Sequence, residues 1–181
     1  MIKNKRMFIF NLIFVFVFLL SLLLILPIKW PNFAFDIKKG LYYKIVSKNS
    51  GLVLDVAGSS IDDGASVTQY QDNGTPNQLW TFEVDKNGYY TIISKNSGKC
   101  IDIGNAGGNN GDPIIQKNIS NAPTQKWSLV KDRYNYYTII SKSSEKCLDV
   151  PYSGKDSGMN INLYDVHGLD NQKWSIIPVK K

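Results

Sequence analysis

From about residue 39 onward, apolar and polar positions alternate in short runs separated by clusters of Asn, Asp, Ser and Gly. Alternation with a period of two marks half-buried strands, because successive side chains of a strand point to opposite faces. The first group of runs predicts strands at 42–47, 52–56, 66–71 and 79–84. Between and after them, Asn49-Ser50-Gly51, Asp62-Asp63-Gly64, Asn73-Gly74 and Asn87-Gly88 supply residues that accept positive φ or close a turn, and Asn73-Gly74 reads as a hairpin. No stretch beyond the N-terminus carries a convincing helical period.

The pattern then recurs. Trp80, Trp127 and Trp174 stand 47 residues apart, and on the same period Tyr42-Tyr43 superposes on Tyr89-Tyr90 and Tyr136-Tyr137, Asp55 on Asp102 and Asp149, and Cys100 on Cys147. The segments YYKIVSKNSGLVLDV, YYTIISKNSGKCIDI and YYTIISKSSEKCLDV align without a gap. Three copies of four strands predict twelve in total. A unit this small cannot bury its own apolar face, so neighbouring copies must complete the core. Closing three units on themselves predicts an all-β barrel with threefold pseudosymmetry, in which the tryptophans and Ile45, Ile92 and Ile139 form core layers.

The N-terminus is different in kind. Lys3, Lys5 and Arg6 precede an apolar run at 7–26 that is broken only by Asn11 and Ser21. A spanning helix needs about 20 apolar residues, whereas the core of a cleaved signal has about 7 to 15. Residues 1–35 therefore read as a hydrophobic helix, an uncleaved signal-anchor through 7–26, with a cleaved signal peptide as the alternative. In both readings the single domain at 36–181 lies outside the cytoplasm, anchored or secreted.

The net charge of +6 shrinks once this segment is set aside. Lys3, Lys5, Arg6 and Lys29 flank the apolar run, and the other 17 of the 21 basic residues face 15 acidic ones, leaving +2 for the repeats. That excludes a phosphate-tracking surface, so no nucleic-acid partner is expected. With one histidine and two cysteines that do not cluster, neither a metal site nor a cofactor is expected. The cysteines occupy equivalent places in different copies, which predicts free, partly buried thiols. His167 has no marked nucleophile or orienting partner, so the chain is not expected to be an enzyme.

The Gln-x-Trp steps in PNQLWTF, PTQKWSL and DNQKWSI, in phase with the three Asp-bearing strands such as CLDV, resemble the ricin B-type lectin domain, a β-trefoil, over about residues 39–181. The resemblance implies that each Trp packs in the core while each Gln supports the sugar-site loops. It also implies galactose-type sites built from an Asp on the second strand, an aromatic 15 residues later and an Asn beside the Gln. An Asp accepts a charge-assisted pair of hydroxyls, an amide both donates and accepts, and a flat ring covers the sugar's C–H face.

The first copy has Asp55, Tyr70, Asn77 and Gln78, with Thr68 on the strand face of Tyr70. The third has Asp149, Tyr164, Asn171 and Gln172, with Asn162 in the place of Thr68. The second keeps Asp102 but carries Lys117 and Thr124 where the Tyr and Asn stood, and is expected to be inactive or altered. Family members often pair the cysteine with one two residues after the aromatic, where this chain has Ile119 and Val166. His167 is expected at the surface, with contact to a sugar edge as the next reading. The implied function is recognition of galactose- or N-acetylgalactosamine-type glycans on cell surfaces or polysaccharide. The alternative is a non-catalytic trefoil that binds a protein partner or serves a secreted toxin or hydrolase complex, whose active chain would be separate.

Overall fold

The computed structural model describes residues 37–105 and 107–179. The expected signal-anchor helix lies outside the described residues, among which no helix is long and apolar enough to cross a membrane. The strands are β1 (Tyr43–Ser47), β2 (Val53–Val56), β3 (Val67–Tyr70), β4 (Trp80–Val84), β5 (Tyr90–Ser94), β6 (Cys100–Ile103), β7 (Ile114–Lys117), β8 (Trp127–Lys131), β9 (Tyr137–Ser141), β10 (Cys147–Asp149), β11 (Met159–Asn160), β12 (Asn162–Tyr164) and β13 (Trp174–Pro178).

Six of them close a barrel in the order β1-β4-β5-β8-β9-β13, with β13 returning to β1. Three hairpins, β2–β3, β6–β7 and β10–β12, cap it. This is a β-trefoil. Its core holds both predicted sets: Trp80, Trp127 and Trp174 are fully buried, as are Ile45, Ile92 and Ile139.

Among the described residues, thirteen strands replace the predicted twelve because the third repeat's third strand changes partner midway. Met159 and Asn160 pair with Gln69 and Thr68 of the first repeat, whereas Asn162 to Tyr164 pair with their own β10. Five three-residue 3-10 turns were not foreseen either, because one turn is too short to show a period. Asn73-Gly74 is not a hairpin: it lies in the loop that joins β3 to β4, which pair with other strands, and its N–H groups bind Gln78 Oε1 at 2.9 and 3.2 Å.

The repeats are locked head to tail. Gly64 donates its N–H to Gln116 O in the second repeat, Gly111 to Leu163 O in the third and Gly158 to Gln69 O in the first, each at 2.8 Å. These glycines have φ of 86°, 88° and 90°, which an L side chain adopts only with strain. A second ring of contacts explains the tyrosine doublets. Lys48 lies over Tyr136, Lys95 over Tyr42 and Lys142 over Tyr89, 4.6 to 4.9 Å from the ring centroids, so the first Tyr of each doublet receives a cation from another repeat.

Cys100 and Cys147 are free, and fully rather than partly buried. Burial, followed by the charges of Asp102 and Asp149, pushes their thiols up to about 12. Thiolate is the reactive form, so iodoacetamide at pH 8 is expected to label no cysteine in the native protein and both after denaturation. Mass spectrometry of the alkylated chain checks this.

Candidate functional site

Each hairpin cap presents one polar face. In the first, Asp55 stands directly across from Thr68 and Val53 from Tyr70. Residues two apart share a strand face, so Asp55, Thr68 and Tyr70 are brought together. The third hairpin repeats this with Asp149 opposite Asn162 and Cys147 opposite Tyr164.

The 3-10 turns Pro76–Gln78 and Asp170–Gln172 then deliver two amides to each carboxylate. Asn77 and Gln78 donate to Asp55 Oδ2 at 2.8 and 3.0 Å, and Asn171 and Gln172 donate to Asp149 Oδ2 at 2.8 and 2.9 Å. Gln78 also donates to Gln71 O, and Gln172 to Asp165 O, both at 2.8 Å. The glutamines are fully buried, so they reach the site only through the aspartates and loops they hold. The Gln of Gln-x-Trp is thus a clamp between the second strand and the loop before the turn.

With Oδ2 occupied twice, Oδ1 of each aspartate is left for a ligand. Thr68 lies across the hairpin where its hydroxyl favours the Asp55 anion, and its Oγ1 is buried without a hydrogen-bond partner. A buried hydroxyl in that state has bonding capacity that an incoming hydroxyl can use. Burial holds both carboxyls above the ordinary 3.8; for Asp55 the amides of Gln78 and Asn77 work against this, and for Asp149 Gln172, His167 and Asn171 do.

An open cavity of about 290 Å³ lies over the first face and is lined by Asp55, Thr68, Tyr70 and Asn77. One of about 410 Å³ lies over the third, lined by Asp149, Asn162, Tyr164 and Asn171. Tyr70 and Tyr164 are 44% and 42% exposed, as a stacking ring requires. His167 is exposed, as expected, and it also lines the third cavity, with Nε2 3.4 Å from Asp149 Oδ2 and its ring 6.0 Å from that of Tyr164.

The second copy departs from this. Gln125 clamps Asp102 Oδ2 at 2.9 Å, but Asp102 Oδ1 accepts the N–H of Ile103 at 2.7 Å, so neither oxygen is left wholly free. Ile115 and Lys117 stand opposite Asp102 and Cys100.

Several lining residues escaped the sequence reading. Gly158 of the third repeat borders the first cavity and Gly111 of the second borders the third, so each site straddles two repeats. Their 47-residue spacing with Gly64 was the available signal. Asn73 lines the first cavity, and Tyr152 and Leu169 the third.

The model of the ricin-type β-trefoil lectin domain-like family matches residues 30–117 and 123–181. The chain belongs to that family. Solved structures agree with this ricin-type assignment. ThreeFoil, a designed threefold-symmetric protein, is 39% identical with a TM-score of 0.74, over 76% of this chain and 99% of ThreeFoil. An exo-β-1,3-galactanase from Clostridium thermocellum is 32% identical with a TM-score of 0.76 over 79% of this chain, which spans only 31% of the galactanase. The C-terminal half of an earthworm R-type lectin, solved in complex with GalNAc, is 27% identical with a TM-score of 0.62, over 77% of this chain and 99% of that one. No curated protein matches the sequence. As a member of a lectin domain family, the chain has a fold suited to carbohydrate binding rather than catalysis.

Proposed function

We propose that this domain binds galactose- or N-acetylgalactosamine-type glycans at the first and third repeats, outside the cytoplasm, and performs no chemistry on them. The observation that carries this reading is that Asp55 and Asp149 each keep one carboxylate oxygen for a ligand beside an exposed Tyr, whereas Asp102 has neither. Galactose fits such a face because its axial 4-hydroxyl leaves one side of the ring as a C–H patch for stacking. A shallow site for one sugar binds at about millimolar, or roughly 4 kcal/mol. Two sites on one rigid body gain through effective concentration on a glycan-dense surface. A second role, directing a separate hydrolase or toxin chain to its glycan, is supported by the galactanase, in which the similar region is part of a longer chain.

A glycan array probed with the chain and with a Tyr70→Ala, Tyr164→Ala double variant tests the reading. Terminal galactose or N-acetylgalactosamine signal is expected from the parent. It should fall by about fivefold per site in the variant, since a stacked ring contributes about 1 kcal/mol. Silence of the folded parent on all glycans at high multivalency would refute carbohydrate binding and leave a protein partner as the account.

Acidification separates binding from folding. Burial raises the carboxyls of Asp55 and Asp149, so whatever stability they contribute is fullest below their unfolded value and is lost as pH rises through the folded one. Asp63 and Asp165, held below 3.8 by hydrogen bonds from Lys99 and Lys146, contribute in the opposite sense, and their stability is lost only as pH falls through their lowered values. Glycan binding is therefore expected to disappear at a pH above 3.8 at which tryptophan fluorescence still reports the native core. Coincidence of the two transitions would contradict the assignment of the carboxylates.

A further inference from the structure

The two competent sites are not equivalent, and the differences cluster on one side of the third. After its Asp-bearing strand, each repeat with a competent site makes a 3-10 turn whose last two residues are left-handed: Gly58 and Ser59 at φ 62° and 53°, Tyr152 and Ser153 at φ 56° and 51°. The backbone is the same, but glycine adopts it freely and tyrosine only under strain. Burial does not compensate, because Tyr152 is 100% exposed. It nevertheless lines the third cavity together with Asp149 and Tyr164. A large aromatic ring that is both strained and fully wetted contributes nothing visible to the free protein, and such outliers gather where a ligand is held.

Two further replacements border the same cavity. In the first repeat, the Thr75 hydroxyl bonds Asn77 Oδ1 at 2.6 Å. In the third, Leu169 stands in that place, and Asn171 Oδ1 is buried without a partner. His167 takes the position of Asn73. Together they give a larger space, about 410 against 290 Å³, with an extra ring, an extra apolar side chain and an unspent acceptor. Asp149 and Tyr164 already provide a carboxylate oxygen and a ring for a single galactose, and Asn171 spends its amide on Asp149 Oδ2 and Val150 O.

We propose that the third site holds two sugar residues in tandem, the terminal galactose on Tyr164 and the adjoining residue against Tyr152, whereas the first site holds one. This rests on the third cavity being a galactose site. The adjoining ring presents C–H groups to Tyr152, and one of its hydroxyls donates to Asn171 Oδ1. The third repeat thereby reads the linkage as well as the terminal sugar.

The test uses the full chain in two forms, Asp55→Asn with only the third site working and Asp149→Asn with only the first. Each is titrated with methyl β-galactoside and with β-galactosyl disaccharides linked 1→3, 1→4 and 1→6. The third-site form is expected to bind at least one disaccharide about tenfold tighter than the methyl galactoside. The first-site form should treat all four alike within about twofold. Adding Tyr152→Gly to the third-site form should collapse its ratio to that of the first site. Glycine accepts the turn's φ, so an unchanged or raised melting temperature is expected and excludes misfolding. A third-site form that binds the methyl galactoside but shows no disaccharide preference overturns the tandem site alone, as does a preference that survives Tyr152→Gly. Failure of both forms to bind any galactoside overturns the tandem site together with the lectin reading.

Discussion

Asp55→Asn combined with Asp149→Asn is expected to abolish glycan binding while leaving the trefoil folded. Each carboxylate spends Oδ2 on two amide donors inside the protein. An asparagine can keep its one oxygen there, and its amide then takes the place of Oδ1, presenting a donor where a sugar hydroxyl needs an acceptor. A hydrogen bond to a charged group contributes about 1.5 to 3 kcal/mol, or roughly 10- to 150-fold per site, enough to erase millimolar affinity. Alanine would be a poor probe, since it strands the buried amides of Asn77 and Gln78. Asp102→Asn supplies the control. Both its oxygens accept internal bonds, so an amide must lose one, and the expected result is a lower melting temperature with unchanged glycan binding. Calorimetry and glycan titration of the three variants together check the set; equal loss of binding from Asp102→Asn would remove the distinction between the repeats.

Trp80→Ala is expected to cost about 3 to 5 kcal/mol, against a total of about 5 to 15 kcal/mol for a domain of ordinary stability. Trp80 is fully buried, and β4 carries it between β1 and β5. Truncation leaves a void in the core. The three tryptophans also allow a finer comparison, because their indoles are not equally bonded. Trp80 Nε1 donates to Leu54 O at 3.0 Å and Trp174 Nε1 to Leu148 O at 3.4 Å, while Trp127 Nε1 is buried without a partner. Trp→Phe should therefore cost about 1 kcal/mol more at position 80 than at 127. Chemical denaturation of the two variants decides it, and equal losses would mean that the Trp127 N–H is bonded in solution.

The 47-residue period made the barrel legible, because Trp80, Trp127 and Trp174 can share one layer only if three units close around an axis. Strand positions followed from alternation to within a residue at each end. The face holding Asp55, Thr68 and Tyr70 was legible because strand period and hairpin register are local. What depends on ring closure was not. Gly111 and Gly158 reach the sites of other repeats through bonds across the pseudo-threefold, and no local pattern encodes which loop meets which hairpin. Tyr152 went unread because φ is invisible in a sequence, although its alignment with Gly58 was there to be noticed.

The pairing of β1 with β13, in register from Tyr43 against Pro178 to Ser47 against Trp174, has a topological consequence. The domain's first and last strands are hydrogen-bonded neighbours, and the other repeat boundaries are bridged in the same way by β4–β5 and β8–β9. A circle made by joining the ends could be reopened at either boundary with every barrel contact kept. The barrel is thus indifferent to which repeat comes first, and the two cavities owe their character to side chains at 152, 167 and 169 rather than to their order along the chain.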